Sequence, residues 1–145
     1  MNHLEGTKSA TKLSASVATN ATHSHEIDTI GFEYLSVDVA ISPFATATAS
    51  YANVLKLQQS DASGSGQVDI SGMSAVIGAG ATTGANVGAV ARFNLDLRAA
   101  KRYVTVVCTP GGTAAVAVSS SARLSKGVDM PINAASAGVN SFVSG

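Results

Sequence analysis

"VARFNLDLRAAKRYVTVVCTPGG", residues 90–112, decides the fold. In its first half Ala91, Phe93, Leu95, Leu97 and Ala99 alternate with Arg92, Asn94, Asp96 and Arg98. Period-two alternation of this kind marks a strand with one buried face. In its second half Arg102, Val104, Val106 and Cys108 alternate with Tyr103, Thr105, Val107 and Thr109. β-Branched residues on both faces predict a central strand covered at least partly on both sides. "TPGG" then turns the chain, because Pro110 fixes one φ and the glycines tolerate positive φ.

The same reading extends outward. "TAAVAVSSSARL" returns as a partner strand, with Val116 and Val118 set against Ala115 and Ala117. Upstream, "FEYLSVDVAI", residues 32–41, places Leu35, Val37, Val39 and Ile41 on one face until Pro43 ends the ladder. In "VLKLQQSD" Leu55 and Leu57 face inward opposite Lys56 and Gln58, and "SDASGSG" is a turn-rich connection. Residues 11–28 read as two weak strands or an extended arm. Residues 69–79, "DISGMSAVIGA", are the most helix-like stretch: Asp69 or Ser71 would cap a short helix that turns Met73, Val76 and Ile77 inward.

A parallel α/β sheet needs crossover segments of roughly a dozen residues, usually helical, and none follows these strands. The expectation is an all-β chain, an antiparallel β-sandwich or jelly roll with short turns and at most one short helix. Residues 1–30 are expected to form an N-terminal arm or edge strands, residues 31–126 the β-sandwich, and residues 127–145 a C-terminal extension.

The chain has 145 residues, enough for one domain with a radius of gyration of roughly 15 Å. Much of its 46% hydrophobic content is alanine, with no Trp, 4 Phe and 3 Tyr, so the core is expected to be thin and contacts between copies would add stability. Nine basic and nine acidic residues cancel, which leaves no basic surplus for nucleic acid. No apolar run reaches the length of a membrane span, and the first residues lack the basic-then-apolar order of a signal peptide. The single cysteine, Cys108, rules out an internal disulfide, in keeping with folding in a reducing cytoplasm. The "NAT" sequon at Asn20 carries little meaning without secretion.

Few residues suggest chemistry. His23 and His25 in "HSH" share one strand face, close enough to hold one zinc ion, but Glu26 and Asp28 face away and the only other histidine is His3. Zinc sites want three or four protein ligands, so these are read as surface histidines. "DASGSGQVDISG" aligns Asp61, Ser63, Ser65, Gly66, Gln67 and Asp69 with a calcium loop, yet Gly72 stands where the bidentate Glu belongs, and a polar turn is the better reading. Asp96 lies between Arg92 and Arg98 and pairs with them more plausibly than it acts in catalysis. Cys108 lies mid-strand in apolar company with no adjacent base, which fits a buried small residue better than a nucleophile. "GAGATTG", residues 78–84, lacks the Lys-Ser/Thr ending of a phosphate loop. Tyr34, Tyr51 and Tyr103 would make a modest sugar platform if they converged. No catalytic, metal or cofactor-binding residue is assigned, and no enzymatic activity is expected.

The pattern "FEYLSVDVAI … VLKLQQSD … RFNLDLRAAKRYVTVVCTPGGT" resembles a family of small β-sandwich virion proteins of tailed bacteriophages. Those proteins carry an early strand followed by "LQxSD", here Leu57 to Asp61, and later a basic-aromatic-valine strand ending in "TPGGT", here Lys101 to Thr113. The resemblance runs from about Glu33 to Val118. It departs after "SD", where relatives often place an aromatic residue and this chain has "ASGSGQVDISGM". It implies a capsid decoration or cement protein on the outer capsid surface of the virion, made in the host cytoplasm, with the major capsid protein as its partner. A homo-oligomer closed around a lattice axis, such as a trimer, fits that role. The alternatives are a head- or tail-fibre adhesion module that binds a receptor or glycan, and a tail or neck structural protein.

Overall fold

The computed structural model describes residues 6–18, 20–43, 52–77, 88–111, 114–128 and 135–141. Eight strands run in chain order: β1 Lys8–Val17, β2 His23–Asp28, β3 Tyr34–Ile41, β4 Ala52–Ser60, β5 Val68–Ser74, β6 Ala89–Asp96, β7 Tyr103–Pro110 and β8 Val116–Ser125. They form two four-stranded sheets of order β1-β8-β3-β6 and β2-β7-β4-β5. All the strand pairs are antiparallel. Apart from the β4–β5 hairpin, every connection passes from one sheet to the other, and the result is a jelly-roll sandwich. No α-helix occurs among the described residues.

The alternation of the sequence becomes the two inner faces. Leu35, Val37, Val39 and Ile41 of β3, Phe93 and Leu95 of β6, and Val118, Ala122 and Leu124 of β8 line one sheet. Leu55 and Leu57 of β4 and Val104, Val106 and Cys108 of β7 meet them from the other. Each large aliphatic side chain so buried contributes about 1.5–3 kcal/mol relative to exposure. β7 lies between β2 and β4, and even its outward Thr105 is buried, as expected of a central strand.

Two local expectations change. Of the stretch 69–79, the described residues 69–77 do not form a helix: Val68–Ser74 is the edge strand β5, with Gln58 opposite Asp69 and Lys56 opposite Ser74. Gly72 sits at φ +78°, within the stretch where the register shifts. A two-turn helix containing glycine does not recover its nucleation cost, whereas β4 offers an unpaired edge that satisfies the same backbone groups. Met73 and Ile77 still pack against the core, but Val76 points outward with 91% of its surface exposed. The strand at 91–99 is also shorter than its alternation suggests. It ends at Asp96, where the side chain accepts from Arg98 N and caps a 3-10 turn over Leu97–Ala99. Leu97 remains buried, held by its amide on Glu33 O at 2.8 Å.

The ends of the sandwich differ in composition. One end gathers the β2–β3, β4–β5 and β6–β7 connections and residues 126–128, and it is rich in ion pairs. At the other end the strands lead into residues 18–22, 42–51, 75–88 and 111–115, whose sequence contains no Asp, Glu, Lys or Arg. The tail returns to the sandwich: Ser9 N donates to Ala137 O at 2.7 Å, and Ala137 is buried. Gly138 makes this approach possible, because at φ +70° a Cβ there would lie 1.8 Å from Ser9 O.

Candidate functional site

The histidines of "HSH" are not surface residues. β2 buries alternate side chains, so His23 and His25 face the interior beside Ile27 at 1% and 8% exposure. His23 lies in register opposite Cys108, and His25 opposite Val106. A chain of hydrogen bonds joins three strands. Ser14 Oγ of β1 lies 2.7 Å from His23 Nδ1, His23 Nε2 lies 2.9 Å from Ser120 Oγ of β8, and Ser120 Oγ lies 2.7 Å from His25 Nδ1.

With both rings neutral the chain can be wired two ways. Ser14 donates to His23, His23 to Ser120 and Ser120 to His25, or every donor reverses. Burial is the main cause holding both imidazoles below their ordinary range. The Lys12 charge adds to this for His23, while for His25 the His23 and Lys12 charges follow and bring it to about 4. Lys12 itself donates to Ser24 O at 2.6 Å. Among the described residues no group of three His, Cys, Asp or Glu side chains comes together.

Cys108 is fully buried, and desolvation pushes its thiol up to about 11, so the neighbouring imidazole does not create a thiolate. The acidic groups of the calcium-like loop are dispersed onto other partners. Asp61 pairs with Lys101 at 2.7 Å, and Asp69 takes Lys56 and Gln58 Nε2, each at 2.8 Å. Ser63 Oγ and Gly64 N both donate to Glu26. Asp96 does not bridge two arginines: Arg98 alone takes it, and that hydrogen-bonded guanidinium holds its carboxyl down at about 2. Arg92 instead forms a two-point pair with Asp38 across the β3–β6 ladder, at 2.6 and 2.8 Å. His3, Tyr51 and "GAGATTG" lie outside the described residues.

Tyr34 and Tyr103 do not converge. Tyr34 stands on the outer face of the β1-β8-β3-β6 sheet, with Lys126 Nζ and the Arg98 guanidinium 5.0 and 5.6 Å from its ring centre. Tyr103 belongs to the other sheet, under Arg102 at 4.9 Å. Their neighbours Leu35 and Val104 point into the core between them, so the two rings face opposite sides of the sandwich.

Beside Tyr34 lies an open groove of about 410 Å³, lined by Tyr34, Ser36, Asn94, Asp96 and Ser125 together with Leu35 and Leu95. Strand register builds it. Tyr34 stands between Ser125 and Asp96, and in the next outward row Ser36 stands between Arg123 and Asn94. Asp96 is engaged by Arg98, but the side chains of Ser36, Asn94, Ser125 and Arg123 make no hydrogen bond or ion pair among the described residues. Sequence reading missed this site, because its residues come from three strands separated by up to 91 positions along the chain.

No protein-family model and no curated protein matches the chain. Among solved structures it is similar to the Yersinia pseudotuberculosis-derived mitogen, at 9% identity and TM-score 0.46, over 89% of this chain and 97% of that one. It is also similar to the CBM22-1–GH10 modules of Clostridium thermocellum endo-1,4-beta-D-xylanase 10B, solved with xylohexaose. That likeness has 12% identity and TM-score 0.48, and covers 87% of this chain and 27% of that one.

Proposed function

We propose that this chain is a non-catalytic structural protein of a tailed-phage particle, a decoration or cement protein bound to the major capsid protein on the outer surface of the shell. The observation that carries the reading is the division of charge between the two ends of the sandwich. Every described charged group in the connections of one end has a partner within the chain, while the connections of the other end hold no charged residue. Connections whose sequence holds no charged residue can be covered by a neighbouring protein without burying an unpaired charge, which is costly. The resemblance over residues 33–118 supports the same role. Repeated over many copies, weak contacts of this kind reinforce a shell through effective concentration.

The test is particle composition. Mass spectrometry of purified virions is expected to find the chain in copy numbers comparable to the major capsid protein. A dozen copies or fewer would move it to the tail, neck or a fibre, and absence from the particle would end the virion reading.

A further inference from the structure

We propose that the outer-face groove beside Tyr34 binds a neutral saccharide. Four features of the site carry this. First, its free groups are of the kind that hydroxyls pair with. The Asn94 amide donates and accepts and the Ser36 and Ser125 hydroxyls do both, with none committed elsewhere among the described residues. Second, these groups stand on strands, not loops, in adjacent cross-strand rows, so their spacing is set before a ligand arrives. Third, the half-buried Tyr34 ring lines the groove, and the Arg98 guanidinium and Lys126 ammonium over it restrain its position. Fourth, at about 410 Å³ the groove falls within the usual range for small-ligand sites.

The acidic lining opposes an anion close to Asp96, while Arg123, opposite Ser36 and outside the lining, is the cation that an anionic ligand would use, so heparin is the competitor that decides. Asp96 lines the groove, and Arg98 and Lys126 beside it are already paired with Asp96 and Glu33. In a virion protein such a site would lie on the outer face of the sheet. It does not depend on the particle role, and the experiments read the two separately.

The labelled full chain would be applied to a printed array of bacterial surface polysaccharides, neutral oligosaccharides and heparin. The strongest neutral oligosaccharide would then be titrated by calorimetry. Asn94→Ala and Ser36→Ala are each expected to weaken binding about tenfold or more, a difference of about 1.4 kcal/mol. Their melting temperatures should stay at the parent value, and Ser119→Ala, at the far end of the same face, should bind like the parent. Retention of no neutral glycan, retention of heparin alone, or affinities unchanged in both groove variants would each overturn the assignment.

Discussion

The interior of the sandwich has two regions built by the same alternation and stabilised in different ways. At its centre Val37, Val39, Leu57, Val104, Val106 and Leu124 are buried among other apolar side chains. At the β1–β2 margin the positions equivalent to these are occupied by Ser14, His23, His25 and Ser120, joined by hydrogen bonds. The centre gains free energy roughly in proportion to apolar area and does not depend on pH. The margin gains it through hydrogen bonds among groups whose burial opposes protonation of the imidazoles, with Lys12 close enough to add to that opposition. Inward position alone therefore does not decide how a side chain contributes; the side chains it meets across the sheet gap do.

The contrast can be broken most strongly at the centre. Leu57→Ala should cost about 2–5 kcal/mol in urea unfolding, equally at neutral and mildly acidic pH. A cost under about 1 kcal/mol would mean that the centre is not the tightly packed region. Ser120→Ala removes the group shared by both histidines and strands two ring nitrogens, for an expected loss of about 1–3 kcal/mol by the same measurement.

The next effect is on pH dependence. The imidazoles titrate lower in the fold than in the unfolded chain, where a histidine has its ordinary pKa of about 6.5. Their contribution is therefore complete above that value and is lost as pH falls from there toward about 4. With allowance for partial solvent access, the loss between about pH 7.5 and pH 5 should be about 1–2 kcal/mol. Asp28, Asp38 and Asp69 are held below the ordinary carboxylate range by their hydrogen-bonded Arg and Lys partners, so this window belongs to the histidines. His25→Asn, which keeps a group able to bond Ser120, should flatten the slope; an unchanged slope would show that the buried pair does not set it. The smallest effect is expected at the solvent-facing pair. Replacing Asp38 and Arg92 together by Ala should leave the melting temperature nearly unchanged at physiological salt, because exposed ion pairs contribute little.

The sequence showed the centre clearly and the margin poorly. Residues 35–41 and 103–108 alternate with large apolar side chains, and a strand buried on one face is the simplest arrangement that hides them. "HSH" alternates too, and its inward face continues to Ile27, which was the available clue that the histidines are buried. Their partner Ser120 lies more than 90 residues away, so no local pattern could show that their polar atoms would be satisfied. The stretch 69–79 failed for a related reason. Its apolar spacing suits a helix or a half-covered edge strand, and the open edge of β4 decided between them. The groove depends on the register of β3 with β6 and β8, which brings Ser36, Asn94 and Ser125 together only after folding.

The uncharged end of the sandwich has a consequence for how attachment through it would respond to salt. A surface with no ionised side chain in its connections gives no long-range steering, so encounter there should proceed at the slower, unsteered rate whatever the ionic strength. It also gives counterions nothing to screen, so a high-salt wash should not release a chain held by that end. A chaotrope that weakens apolar contacts would be needed to strip it.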